Sequence, residues 1–112
     1  MPFENEEAKR RFLGFLGLCR RAGKTVCGTP MVCAALGSRQ KPCLVLYAQG
    51  ASAATQKKVT CKCAFYGVPA VAIEVTPAEL GQAVGKTGNL AALAVTDEGF
   101  AAAMQEKLQA AN

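Results

Sequence analysis

Histidine and tryptophan are both absent from this chain, and aromatic residues make up only 6% of it. Without histidine, the Cys–His, Ser–His and Glu-x-x-His pairings that activate nucleophiles or hold catalytic zinc cannot form. Acid–base chemistry would fall to scattered carboxylates, and the one adjacent pair in the second half, Asp97–Glu98, is accounted for by its place at a helix start. No apolar run approaches the roughly 18 residues of a membrane span, so a membrane partner is not expected. The most informative gap is in one sign of charge. From Ala8 through Ile73 there are eleven Lys or Arg residues and no Asp or Glu, within a chain of net charge +5. Such a segment calls for an anionic partner, nucleic acid before membrane, and gives no reason to expect a small-molecule substrate.

What is present describes a folded protein. The 112 residues, 51% apolar and 19% charged, suit one domain spanning 1–112 with a core of its own. Lys9, Arg10 and Arg11 followed by Phe12 to Cys19 imitate a lipoprotein leader. Glu4, Glu6 and Glu7 ahead of them, Leu18 just before Cys19, and Arg20–Arg21 directly after break the pattern. A cytoplasmic protein with reduced thiols is therefore expected. The six cysteines at 19, 27, 33, 43, 61 and 63 include no Cys-x-x-Cys pair. Cys61 and Cys63 lie two apart on a helix and converge poorly on one ion, so neither metal nor any other cofactor is expected. Small apolar filler is the reading of the cysteines.

Along the chain, Phe12, Phe15, Leu16 and Cys19 mark an amphipathic helix that stops at Ala22–Gly23. A short extended piece over 25–27 precedes Gly28-Thr29-Pro30, where Thr29 suits a cap and Pro30 the first helical position. Strands are expected near 43–48, a continuous apolar run of the kind buried on both faces, and near 69–74 and 91–95. Ser52 caps a helix closed by Gly67, with Val59, Cys63 and Tyr66 on one side. Thr76-Pro77-Ala78-Glu79 combines a capping box with a first-position proline. Thr96 opens a last helix with Asp97 and Glu98 in its first turn. The alternation predicts a three-layer α/β/α sandwich around a small, mostly parallel or mixed four-stranded sheet.

Gly81-Gln-Ala-Val-Gly85-Lys86-Thr87 imitates a phosphate-binding loop, but it is one residue short between the glycines and follows a helix instead of a strand. The positive signal is basic: Arg20, Arg21 and Lys24; Arg39 and Lys41; Lys57, Lys58 and Lys62. Any one cluster reads as a solvated face. Three without an interposed acid read as a polyanion surface, helped by the backbone N–H groups of the helix start at Gly28. The linear sequence does not interleave basic and aromatic residues as single-strand binders do, so the shape of a folded RNA is the expected target.

The ordered set Leu16-Gly17-Leu18-Cys19-Arg20-Arg21-Ala22-Gly23-Lys24, Gly28, Cys43 to Ala48 leading into Ala51-Ser52, Lys62-Cys63, Tyr66-Gly67-Val68-Pro69, Glu79-Leu80-Gly81 to Gly85-Lys86, and Thr96-Asp97-Glu98-Gly99-Phe100 resembles the bacterial YlxQ-like branch of the kink-turn-binding ribosomal protein family, called L-seven-Ae in archaea. The resemblance runs from Phe12 to Met104. It implies an α/β/α fold, no catalysis, and binding of kink-turn RNA, a sharply bent helix with tandem sheared G·A pairs, with ribosome association as its extension. In that family a Gly-x-Asn-Glu-x-x-Lys pattern at the second helix start reads the G·A pairs. Here Gly28 and Thr29 are followed by Pro30 at the Asn, Met31 at the Glu and Ala34 at the Lys, which implies weakened G·A readout. The resemblance carries the loop that touches a flipped-out nucleotide onto Glu74, Val75 and Thr76, with Val75 as the apolar tip, and places Lys24 and Lys86 beside the RNA. Two other readings stand next to it: a protein-interaction module that keeps this fold without RNA, and a small thiol-dependent enzyme.

Overall fold

Apolar residues at every position of a strand require cover on both faces, and Leu44–Ala48 (β2) supplies the axis on which the molecule is built. Leu44, Leu46 and Ala48 face one buried cluster and Val45 the other. The computed structural model describes residue 3 and residues 5–110, so the ends of the expected 1–112 domain, and Glu4, lie outside the described residues. The elements run α1 (Glu6–Arg21), β1 (Thr25–Cys27), α2 (Thr29–Leu36), β2, α3 (Ala53–Tyr66), β3 (Ala70–Ile73), α4 (Pro77–Ala83), β4 (Ala92–Val95) and α5 (Glu98–Ala110). The sheet order is β1-β4-β2-β3, with β2 parallel to β3 and β4 antiparallel to both β1 and β2. It is the mixed sheet expected, with each strand within a residue of its predicted bounds.

One face is covered by α1, α4 and α5, through Phe12, Leu16, Leu80 and Met104, and the other by α2 and α3, through Val32, Leu36, Val59 and Cys63. The sheet grades its side chains to suit. On β4, Leu93 and Val95 point to the three-helix side, whereas Ala92 and Ala94 point to α2 and α3. Small residues there let two helices sit close and complete the core without large side chains.

Helix starts follow local chemistry. Asn5 caps α1 by accepting from the Ala8 amide at 2.8 Å, a start the periodicity did not reveal. Ser52 accepts from Thr55, and the Thr76–Glu79 capping box is complete. Two expectations shift by one residue. Asp97 precedes the last helix and caps it, with Oδ2 accepting from the Phe100 amide at 3.0 Å. At α2, Gly28 takes the cap position and Thr29 lies within the helix, because Gly28 has φ +97°, a conformation costly for any other residue.

Within the three-helix layer an ion pair, Lys9 Nζ to Glu79 Oε2 at 2.8 Å, joins α1 to α4. The hydrogen bond from Lys9, with help from the Thr76 amide, holds the Glu79 carboxyl below its ordinary value, and the same bond raises Lys9 above 10.5. A lowered carboxyl stabilises fully above its unfolded value of 4.5 and loses that contribution as pH falls through the folded one. A raised ammonium contributes below 10.5 and loses its share as pH rises through the folded value. Glu79→Gln keeps an oxygen for the cap and removes the charge. It is expected to lower stability by less than about 1 kcal/mol near neutrality and to flatten the acid limb of a denaturation-versus-pH curve; an unchanged acid limb would show that the pair contributes nothing.

Candidate nucleic-acid interface

β1, β2 and β3 run in one direction, so their C-terminal ends, with the helix starts that follow, gather at one end of the sheet. β4 begins there too. The Gly28 amide donates to Ala92 O at 3.0 Å, the Ala48 amide to Ala91 O at 2.8 Å and the Gln49 amide to Ile73 O at 2.9 Å. This rim carries the start of α2 at the β1 edge and the residues after β3 at the opposite edge.

At the β1 edge, the first helical bond of α2 runs from the Val32 amide to Gly28 O at 2.9 Å, and no side chain caps the amides ahead of it. Thr29 and Met31 therefore present backbone donors, whereas Pro30 has none. Asn5, Ser52, Thr76 and Asp97 fill that role at the other four helix starts. Pro30, Met31 and Ala34 are all exposed, Met31 at 59%, and share one side of the helix by their i, i+1, i+4 spacing. Beside them a shallow depression is lined by Arg20, Thr25, Val26, Cys27, Met31 and Lys86. Arg20 comes from the end of α1 and Lys86 from the loop between α4 and β4. Among the described residues the ion pairs are Lys9–Glu79 and Arg11–Glu7, so neither Arg20 nor Lys86 is neutralised by a carboxylate.

The residues expected at the interface thus fall at three places. Gly28, Thr29, Pro30, Met31, Ala34 and Lys86 come together. Lys24 is exposed but enters at the other end of β1, where its carbonyl accepts from the Thr96 amide at 2.9 Å. Glu74, Val75 and Thr76 follow β3, the far edge of the sheet, and rim a separate depression with Lys9, Gln49 and Gly50. Val75, expected as the apolar tip that touches a nucleotide, is instead 4% exposed and packs in the core, and Thr76 is engaged in its capping box. The reason is a tight turn after β3, in which the Val75 amide donates to Ile73 O at 2.8 Å. Ile73 and Val75 both join the core, with Glu74 exposed between them. The loop that does flank α2 is the one carrying Lys86, whose residues 85–89 are exposed and which feeds the β4 strand bonded to β1. Arg20 was visible in the sequence only as part of a basic cluster; its proximity to Lys86 depends on α1 lying across the sheet.

Burial leaves three of the thiols poor nucleophiles. All six cysteines are free; burial pushes Cys19 and Cys63 up to about 11 and raises Cys43 as well. Those three are held as neutral thiols near pH 7. Among the described residues no three His, Cys, Asp or Glu side chains converge on a point fit for a metal ion, and no helix is long and apolar enough to cross a membrane.

Comparison with known proteins gives a consistent set of likenesses. The profile of the Ribosomal protein L7Ae/L30e/S12e/Gadd45 family matches residues 11–105. A protein of Bacillus subtilis (strain 168) named RNA-binding protein YlxQ is 43% identical over 86 residues, covering 77% of this chain and 83% of that one. A protein of the same name from Enterococcus faecium is 31% identical over 105 residues, covering 94% and 98%. Among solved structures, a protein of unknown function from Bacillus halodurans superposes with a TM-score of 0.78 at 30% identity, covering 88% of this chain and 96% of that one. The Giardia lamblia 15.5kD RNA binding protein gives 0.73 at 21% identity, covering 99% and 92%, a likeness of fold alone.

Proposed function

The chain belongs to the Ribosomal protein L7Ae/L30e/S12e/Gadd45 family, in its bacterial YlxQ-like branch, and from that premise we propose that it is a non-catalytic protein that binds structured RNA of the kink-turn type, ribosomal RNA included. The observation that carries the reading is the uncapped start of α2 set beside the unpaired cations Arg20 and Lys86. Free amides at a helix start meet phosphate oxygens, and the positive end of the helix dipole favours them. The family match spanning 11–105 supports taking that stretch as one RNA-binding unit. Because Pro30, Met31 and Ala34 stand where the resemblance places base- and phosphate-directed side chains, readout of the G·A pairs is weak and shape and charge dominate.

Binding governed by phosphate contacts must fall steeply with salt. Each phosphate contact contributes about 0.9 to the slope of log K against log salt on a duplex. Arg20→Ala and Lys86→Ala are each expected to weaken binding to a kink-turn hairpin and to flatten that slope by about one. Lys24→Ala, at the other end of β1, has the smaller effect. Titrations by fluorescence anisotropy at several salt concentrations decide the matter. Full affinity in the Arg20→Ala, Lys86→Ala double variant would remove the β1 edge from the interface.

A further inference from the structure

The proposed interface leaves the largest exposed aromatic of the molecule unused. Phe65, near the end of α3, is 81% exposed. Its ring stands edge-on to Tyr66, with centroids 4.9 Å apart and planes at 83°, and Lys41 Nζ lies 5.6 Å from the centre of the Tyr66 ring. The Tyr66 hydroxyl lies beside Gly37, where an added Cβ would come within 3.3 Å of it. Lys58, Lys62 and Phe65 follow at i, i+4 and i+7 on α3 and form one outward stripe. One exposed ring therefore stands in line with basic residues, at a helical spacing that the linear sequence does not display.

Charge on this side of the sheet is wholly of one sign. Residues 28–73, which include α2 and α3, contain Arg39, Lys41, Lys57, Lys58 and Lys62, all exposed, and no Asp or Glu. The acids of the described residues lie in α1, α4 and α5, at Glu74 after β3, and at Asp97 before α5. A lone ring among lysines is a poor membrane anchor, which needs a broad apolar face. It is well suited to a nucleotide strand, which offers a flat base to the ring and a phosphate on either side for the cations.

We propose that the α3 face is a second RNA contact, where Phe65 stacks on an unpaired base and Lys58, Lys62 and Lys41 hold the flanking phosphates. Its occupant is a single-stranded stretch of the RNA; placing that strand beside a kink-turn rests on the proposed function, while the stacking contact itself does not. α3 is 14 residues long, about 21 Å at 1.5 Å per residue, so a strand leaving the rim at the α2 start reaches Phe65 by running the length of that helix.

The test uses three probes: a kink-turn hairpin with blunt ends, the same hairpin with a single-stranded extension, and a short oligoadenylate alone. The wild-type protein is expected to bind the extended hairpin about tenfold more tightly than the blunt one, and Phe65→Ala to remove that difference and weaken oligoadenylate binding by a similar factor. The blunt hairpin is expected to be indifferent to Phe65→Ala. Lys58→Ala with Lys62→Ala should flatten the salt slope for oligoadenylate by about 1.4 if each lysine meets one phosphate. Because the chain has no tryptophan, Phe65→Trp supplies a single indole whose emission is quenched when a base stacks on it. Phe65-dependent binding of oligoadenylate without any binding of the blunt hairpin would uphold this contact and overturn the kink-turn reading. Oligoadenylate binding that ignores Phe65→Ala, or an unquenched indole in the bound complex, would overturn the contact. Polyglutamate bound as tightly as oligoadenylate would also overturn it, assigning the face to an acidic protein.

Discussion

Introduced together, Pro30→Asn, Met31→Glu and Ala34→Lys are expected to tighten binding to a kink-turn by about ten- to a hundredfold and to make that binding depend on intact G·A pairs. The three positions are exposed on one side of α2, so new side chains there reach solvent without disturbing Val32 or Leu36, which are fully buried. Each change supplies something the present residue lacks. Proline has neither a side-chain donor nor a backbone N–H, methionine offers only a weakly accepting thioether, and alanine has no charge. A well-made contact to a base edge discriminates by about 1–3 kcal/mol in the better-characterised DNA case, and about 1.4 kcal/mol is a factor of ten. One or two such contacts account for the expected gain. Losing proline from the first turn gives up some preorganisation of the helix, so a thermal melt accompanies the titration. The measurement compares wild type and triple variant on matched and G·A-disrupted RNA at low and high salt. If the unmodified protein already binds tightly and G·A-dependently, residues other than these three read the pairs.

The salt arm separates this gain from a simple rise in charge. The triple variant adds one cation at 34 and one anion at 31, leaving the net charge of the face unchanged, so a gain from better base reading persists at high salt. A gain that vanishes at high salt would come from Ala34→Lys alone, through a single phosphate.

The sequence was most legible where short-range chemistry decides structure. Apolar runs at 43–48 and 91–95 placed the two central strands because both of their faces need cover. Thr76-Pro77-Ala78-Glu79 placed α4 because a capping box satisfies two amides within four residues. It was least legible where distant segments decide. Nothing within β1 announces that it pairs with β4 on one edge while β3 takes the other, and that pairing order alone separates the α2 start from Glu74–Thr76 and brings Lys86 beside Met31. Val75 is an intermediate case. The order Ile73-Glu74-Val75 was readable as two buried positions about an exposed one, and that reading was overridden by the loop role that the resemblance lent it. Phe65 shows the converse, since a stripe of lysines and one ring becomes visible only on the helix that α3 forms.

Gly81 carries the clearest consequence of such a long-range contact, because the glycine that imitates a phosphate-binding loop is there for space. It is buried on α4, and a Cβ added to it would run into the Gly88 carbonyl oxygen and stand 3.5 Å from the Leu90 nitrogen. The obstacle is backbone, which cannot swing aside as a side-chain tip does. The same loop is tied back at that residue, with the Lys86 amide donating to Gly81 O at 2.9 Å. Overpacking costs about 1–3 kcal/mol and occasionally more. A domain of this size commonly has about 5–15 kcal/mol of stability in all. Gly81→Ala is therefore expected to cost about 3 kcal/mol, a fall of roughly 10 °C or more in Tm, and Gly81→Val to leave little folded protein. Gly14→Ala is the control. Gly14 is exposed in α1 with nothing within 4 Å of an added Cβ, so better helix propensity should stabilise the protein by about 0.5–1 kcal/mol. Both replace a helical glycine with alanine, yet the expected signs are opposite. Urea and thermal denaturation measure the two directly, and RNA titration of Gly81→Ala well below its Tm extends the test to the interface. Moving Gly88 shifts the loop that presents Lys86, so affinity is expected to fall even in protein that remains folded. Equal stabilities for the two variants would mean that the loop over 85–90 does not pack on α4.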